Sequence, residues 1–290
     1  MTLPSPQDSG RGEHRTGILR TVVFLSDYGL SDEFVGICHG VIARVAPEVR
    51  VIDLHHGIPP QDVGRGAIVL AQAVPYVPAN SVYLGIVDPG VGTARRPVAL
   101  ETGEGGILVG PDNGLLSLAA DALGGVTRAV EISNPDVMLS PVSQTFHGRD
   151  LFAPAAAHLA LGTPIERLGE GIHPAELAKV EIPQPKVEPG HIHCQVLGVD
   201  RFGNLELNVR LSDLDEAELG MEPVLEARAS GKSFDVRRVA AFGELEPGTF
   251  GAIVDSTGWV ALVLNRGNAS EALAARVGDN LILGRPGETG

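Results

Sequence analysis

The feature that most constrains this chain is an alternation, in its first third, between short unbroken apolar runs and stretches with helical spacing. Thr21 to Leu25 reads TVVFL, β-branched and without polar residues at alternate positions, the pattern of a strand buried on both faces of a sheet. From Asp32 to Ala46, residues Phe34, Ile37, Val41, Ile42 and Val45 recur at helical spacing, with Asp32 as the expected N-cap and Pro47 just past the end. Val49 to Leu54 reads as a second strand, Asp62 to Val74 as a second helix and Ser81 to Val87 as a third strand. This βαβαβ order predicts right-handed crossovers and a doubly wound α/β sheet. Strands at Val98 to Leu100, Ile107 to Val109 and Val126 to Ile132 extend it, with helices at Leu115 to Leu123 and Leu151 to Leu161.

A chain of 290 residues exceeds the size at which one core usually stops growing, so a second domain is expected. The break falls at Glu181 to Gly190, EIPQPKVEPG, where three prolines interrupt every periodicity. Beyond it come short strand-like stretches separated by Gly, Pro and Asp turns: Ile192 to Val199, Leu205 to Val209, Pro223 to Ala229, Ser233 to Val239, Phe250 to Val254, Trp259 to Leu264 and Asn280 to Leu283. They predict a smaller all-β barrel. The expected organisation is a disordered tail over 1–19, an N-terminal α/β domain over 20–181, a linker over 182–190 and a C-terminal β-barrel over 191–290.

Charge narrows the partners. Acidic residues outnumber basic ones 36 to 22, a formal charge of −14, which argues against a surface that tracks nucleic acid or binds an anionic membrane. The polar tail holds no apolar run able to serve as a signal-peptide core, and no segment offers about 18 uninterrupted apolar residues, so no membrane span is expected. Cys38 and Cys194 are too few and too distant for a disulfide scaffold. A cytoplasmic protein is the economical reading.

In doubly wound folds, ligands bind beyond the carboxyl ends of the strands. The polar residues that follow the strands therefore form one set: Ser26, Asp27 and Tyr28; His55 and His56; Asp88-Pro89-Gly90-Val91-Gly92 with Arg95; and Gly110 to Gly114. No Walker lysine motif and no dinucleotide fingerprint occurs, and a carboxylate-rich rim suits a ligand with hydroxyls and a positive charge. His147 stands in a loop before the alanine-rich helix, with Asp150 as that helix's expected cap. Taken singly, each residue has an ordinary reading too: Asp88 as a turn residue before Pro-Gly, Arg95-Arg96 as a solvated pair, Asp200 and Asn204 as a hairpin turn. His55-His56 lacks a third ligand at suitable spacing, and His191 with His193 reads as alternate residues on one face of a strand. No metal is expected.

FLSDYGLSDEFVG, VDPGVGTARR, PDNGLL, TFHGRDLFAPAAAHLA and VDRFGN occur in this order. Together they resemble the S-adenosyl-L-methionine hydroxide adenosyltransferase family, relatives of the fluorinase and chlorinase. The resemblance runs from about Thr21 to Leu283. It implies hydrolysis of S-adenosyl-L-methionine to adenosine and L-methionine, with no cofactor, by a homotrimer whose site lies at the subunit interface. It implies Asp88, Arg95 and His147 as the catalytic set and Asp27 on the ribose. Asp200 is implied toward the methionine ammonium, Phe202 and Asn204 toward the adenine, and Phe242 and Ser256 as further contacts. Where the halogenating branch carries a tryptophan, a tyrosine and a serine, this chain has Gln61, Asp88 and Gly148. Water is therefore the expected nucleophile, the alternatives being a halogenase or a non-catalytic sensor of the same ligand. Whether Asp88 or His147 is the base stays open.

Overall fold

A computed structural model of the protein describes residues 19–287, so the expected tail over 1–19 lies outside the described residues save Leu19. Contacts divide the chain between Val180 and Glu181 into two compact units.

The first unit runs β1 (Val22–Ser26), α1 (Phe34–Val45), β2 (Val51–His55), α2 (Val63–Ala73), β3 (Val82–Ile86), β4 (Pro97–Thr102), β5 (Ile107–Pro111), α3 (Ser117–Ala122), β6 (Val126–Glu131), α4 (Ala153–Ala160) and β7 (Gly171–Ile172). The strands form one sheet in the order β2-β1-β3-β5-β4-β6-β7. The first three pairings are parallel, and β4, β6 and β7 close one side antiparallel.

The apolar run of β1 finds its reason in the two helical layers. Val22 and Phe24 pack among Val35, Cys38 and Ile42 of α1 and the alanines of α4. Val23 and Leu25 pack with Leu70 of α2 and Ala119 of α3 on the other face. All four strand residues are fully buried, and each contributes roughly 1.5–3 kcal/mol of hydrophobic stabilisation.

Two expected helix starts differ. Asp32 does not cap α1: Glu33 holds that position and makes no side-chain cap bond. Asp150 caps nothing either. A π-helical turn over Gly148–Phe152 runs directly into α4, and the buried Asp150 carboxylate accepts from Arg149 Nε at 2.6 Å and from Ser143 N at 2.8 Å. Single π turns of this kind recur at functional sites. Asp62 does cap α2, accepting from Arg65 N at 2.8 Å.

The second unit contains β8 (Lys186–Glu188), β9 (His191–Val199), β10 (Leu205–Arg210), α5 (Leu211–Glu216), β11 (Val224–Ala229), β12 (Lys232–Arg238), β13 (Phe250–Val254), β14 (Trp259–Leu264), α6 (Ala269–Leu273) and β15 (Asn280–Gly284). From β10 the order runs through β14, β13, β12, β11 and β15 to β9, and a further β9–β10 pairing closes a seven-stranded barrel. Part of the segment read as linker is strand β8, paired antiparallel with β9 outside the closed ring. Proline flanks hide it from a periodicity reading, because a three-residue edge strand needs few ladder bonds. Among the described residues, no helix is long and apolar enough to cross a membrane.

Candidate active site

Strand β1 has β2 on one side and β3 on the other, so the winding reverses between β1 and β3. Their carboxyl ends open the crevice in which such sheets bind ligands. Asp27 follows β1 and Asp88 follows β3.

Asp88 and Arg95 face each other with side chains only 7% exposed. Arg95 Nε donates to Asp88 Oδ1 at 3.1 Å, and Arg95 Nη2 bonds Asp88 Oδ2 closely. The same Nη2 lies 3.0 Å from His147 Nδ1. Arg95 Nη1 is buried without an acceptor among the described residues, and the guanidinium stacks over Phe152 at 5.2 Å. His147 stands not in a loop but at the helical N-cap of the π turn, and the segment before it approaches the Asp88 loop where Gly92, at φ +76°, passes so close to Gln144 O that a Cβ there would collide. Asn113 secures the base of the Asp88 loop by donating from Nδ2 to Val87 O at 2.8 Å.

Electrostatics set the protonation states. A guanidinium only donates, so His147 Nδ1 accepts and the neutral ring carries its proton on Nε2. Desolvation, followed by the Arg95 charge, lowers the His147 pKa against smaller opposing effects of Asp88 and Asp150. Burial holds the Tyr28 phenol far above its ordinary value, so it stays protonated. Tyr28 packs edge-on to Phe146 at 5.8 Å, and its hydroxyl fills the place a side chain at Gly148 would need. Only glycine fits there without moving Tyr28.

Asp27 Oδ2 accepts from Gln61 N at 2.9 Å, with Gln61 in a left-handed turn at φ +67°. Behind Asp27 lies a network that the sequence reading missed. Ser26 Oγ bonds His56 Nδ1 at 2.8 Å, His56 Nε2 donates to Asp53 Oδ1 at 2.9 Å, and His39 Nε2 donates to the same oxygen at 2.7 Å. His56 O also accepts from Gly29 N at 2.7 Å. His56 thus grips both ends of the turn that carries Asp27 and Tyr28. A buried serine ending an apolar strand, opposite a histidine ending its neighbour, is the signal that could have revealed it. The adjacent Arg96 leaves the site and pairs with Asp112 at 2.6 Å. A cavity of about 300 Å³ lined by Leu100, Leu116, Ala120 and Leu177 contains none of the expected catalytic residues.

In the second unit, Asp200, Phe202 and Asn204 share one turn after β9. Asp200 Oδ1 accepts from Phe202 N at 2.8 Å and Asn204 N at 2.9 Å, and Oδ2 accepts from Asn204 Nδ2 at 2.7 Å. Phe202 is 75% exposed and Phe242 50%. Ser256 is exposed in the β13–β14 turn, which Asp255 organises by accepting from Thr257 N and Trp259 N. Cys38 and Cys194 are free, buried thiols.

Most of the chain is similar to known proteins. The family model for the SAM hydroxide adenosyltransferase N-terminal domain matches residues 22–169, and that for its C-terminal domain matches residues 194–282. The "(R)-S-adenosyl-L-methionine hydrolase" of Salinispora tropica is 50% identical over 260 residues, 90% of this chain and 96% of the relative. A "Fluorinase" of Actinoplanes sp. is 29% identical over 270 residues, 84% of this chain and 90% of the relative. The crystal structure of a conserved protein from Thermotoga maritima superposes with a TM-score of 0.86 at 34% identity, covering 91% of this chain and 100% of that one.

Proposed function

The chain belongs to the SAM hydroxide adenosyltransferase family, and from that premise we propose that it hydrolyses S-adenosyl-L-methionine to adenosine and L-methionine at the Asp88–Arg95–His147 cluster. The observation that carries this reading is the single Arg95 Nη2 group, shared between a half-buried His147 and an Asp88 whose side chain, like that of Arg95, is only 7% exposed. A buried ion pair of this kind is weak evidence for stability. It is a suitable device for orienting a nucleophile.

Water attacks the ribose C5′ in line with the C5′–S bond. As the new C–O bond forms, the C5′–S pair withdraws onto sulfur, and methionine leaves as a neutral thioether. The leaving group is already cationic, so no acid need protonate it and no metal or redox cofactor is called for. The remaining task is to hold water in line and accept its proton. His147 Nε2 carries a proton and therefore donates to the water oxygen. That leaves Asp88 as the base: each of its oxygens keeps a lone pair beyond its bond to Arg95. The unpaired Arg95 Nη1 is a further donor for developing hydroxide charge. Asp27 fixes the ribose through its hydroxyls, with His56 and Gln61 holding the Asp27 loop.

The remaining contacts come from the second unit: Asp200 to the methionine ammonium, Phe202 and Asn204 to the adenine, Phe242 and Ser256 around them. A homotrimer in which one subunit's barrel completes another's site is what the family resemblance implies, and the exposed rings of Phe202 and Phe242 are free to meet the substrate there. Two unpaired, buried thiols fit a cytoplasmic protein.

Incubation with S-adenosyl-L-methionine in oxygen-18 water, with and without chloride or fluoride, tests the reaction. The expected result is adenosine labelled at its 5′-hydroxyl with equimolar methionine, unchanged by halide. A 5′-halo-deoxyadenosine product, or binding without turnover, would overturn it.

A further inference from the structure

Strand β8 begins the second unit, and its pairing with β9 sets Glu188 opposite His191 and Lys186 opposite His193. His191 and His193 are two apart on β9, so their side chains share the face of the sheet onto which Glu188 also points. The two rings meet edge to face with centroids 5.3 Å apart. Glu188 Oε2 lies 2.6 Å from His191 Nε2 and 3.7 Å from His193 Nε2. One donor atom from each residue falls within 4.8 Å of the other two.

We infer that Glu188, His191 and His193 form a binding site for a divalent transition metal of the zinc or cobalt class, built from residues other than those of the proposed hydrolytic centre. Ligand atoms around a tetrahedral zinc stand roughly 3.3 Å apart, as bond lengths of about 2.0–2.1 Å require. The separations from Glu188 Oε2 bracket that value, so small rotations of exposed side chains close the site. Two imidazoles and one carboxylate select a borderline metal over magnesium or calcium, which prefer all-oxygen shells. Lys186 Nζ holds the other Glu188 oxygen at 2.8 Å and so orients Oε2 toward the histidines, as outer partners of metal ligands commonly do. On the neighbouring strand, Gly284 pairs with His191 and presents no side chain beside it.

The ligand side chains are 35% (Glu188), 25% (His191) and 43% (His193) exposed. An ion can therefore enter from solvent and keep water at its fourth position. His191 and His193 on their own form an incomplete set. The third ligand comes from the segment whose prolines marked it as linker, and only its pairing as β8 brings it into place. A bound ion ties this added strand to the barrel, so metal binding and attachment of β8 are linked.

The test uses untagged, chelator-stripped protein titrated with cobalt(II) and zinc(II), followed by visible absorption and calorimetry. We expect one equivalent per chain, a cobalt spectrum of low-coordinate type displaced by zinc but not by magnesium, and a Tm that rises with zinc concentration. Glu188→Gln, His191→Gln and His193→Gln should each weaken binding at least about tenfold, with far-UV circular dichroism unchanged. Absence of stoichiometric binding, or binding undiminished in Glu188→Gln and His193→Gln, would overturn the assignment.

Discussion

Two aspartates show how differently one side chain can be used. Asp88, in the first unit, is nearly dehydrated, locked to Arg95, and linked through that guanidinium to a histidine some distance along the chain. Asp200, in the second, is exposed and spends its acceptors on the backbone and amide of its own turn. Dehydrating an ion pair costs several kcal/mol per ion before attraction returns it, whereas an Asp-organised turn is among the most economical structures available. A costly arrangement in a crevice calls for a chemical purpose. The Asp200 turn needs none for its fold, so any role in binding is an added use of a stable loop.

Arg95→Met should have the largest effect, because it strands a buried carboxylate: a loss of about 3–5 kcal/mol in urea denaturation together with abolished methionine release. A loss below about 1 kcal/mol would break the contrast by showing that the pair is effectively solvated. Gly148→Ala comes next. The new methyl must displace the Tyr28 hydroxyl, costing about 1–3 kcal/mol by overpacking, and the companion Tyr28→Phe, which lacks that hydroxyl, should restore part of it. Asp200→Ala should cost about 1 kcal/mol or less in stability and raise KM while leaving kcat near wild type.

A pH series gives the gentlest effect. His147 titrates below its ordinary 6.5 in the folded protein, chiefly through desolvation. The unfolded chain therefore binds a proton there first, and the contribution of neutral His147, complete above about 6.5, is lost as pH falls through the folded pKa. Protonation also removes the Nδ1 acceptor facing Arg95. Turnover should fall on the acid side, and His147→Asn should flatten that limb of the kcat/KM profile.

Much of this contrast was legible in the residues themselves. The run TVVFL announces a strand covered on both faces, and the polar residues that follow the strand ends include Asp27, Asp88 and Arg95. The spacing makes His147 a loop histidine beside glycine, whereas it stands at a helical N-cap whose link to Arg95 no spacing announces. The Ser26–His56–Asp53 network is hidden because Ser26 meets His56 only across paired strands, although Asp53 and His56 lie three residues apart. The antiparallel edge of β4, β6 and β7 was equally hidden, since short apolar runs do not declare their direction. Strand β8 and the helices α5 and α6 were obscured by prolines and by lengths too short for periodicity.

The most direct test of the central claim is single-turnover kinetics of Asp88→Ala at saturating S-adenosyl-L-methionine, with substrate affinity measured in parallel. The account predicts a chemical step slowed roughly 10²–10⁴-fold and affinity changed only a few-fold. An unchanged rate, with Asp27→Ala alone abolishing turnover, would contradict the role given to Asp88 and move the chemistry to the other side of the crevice.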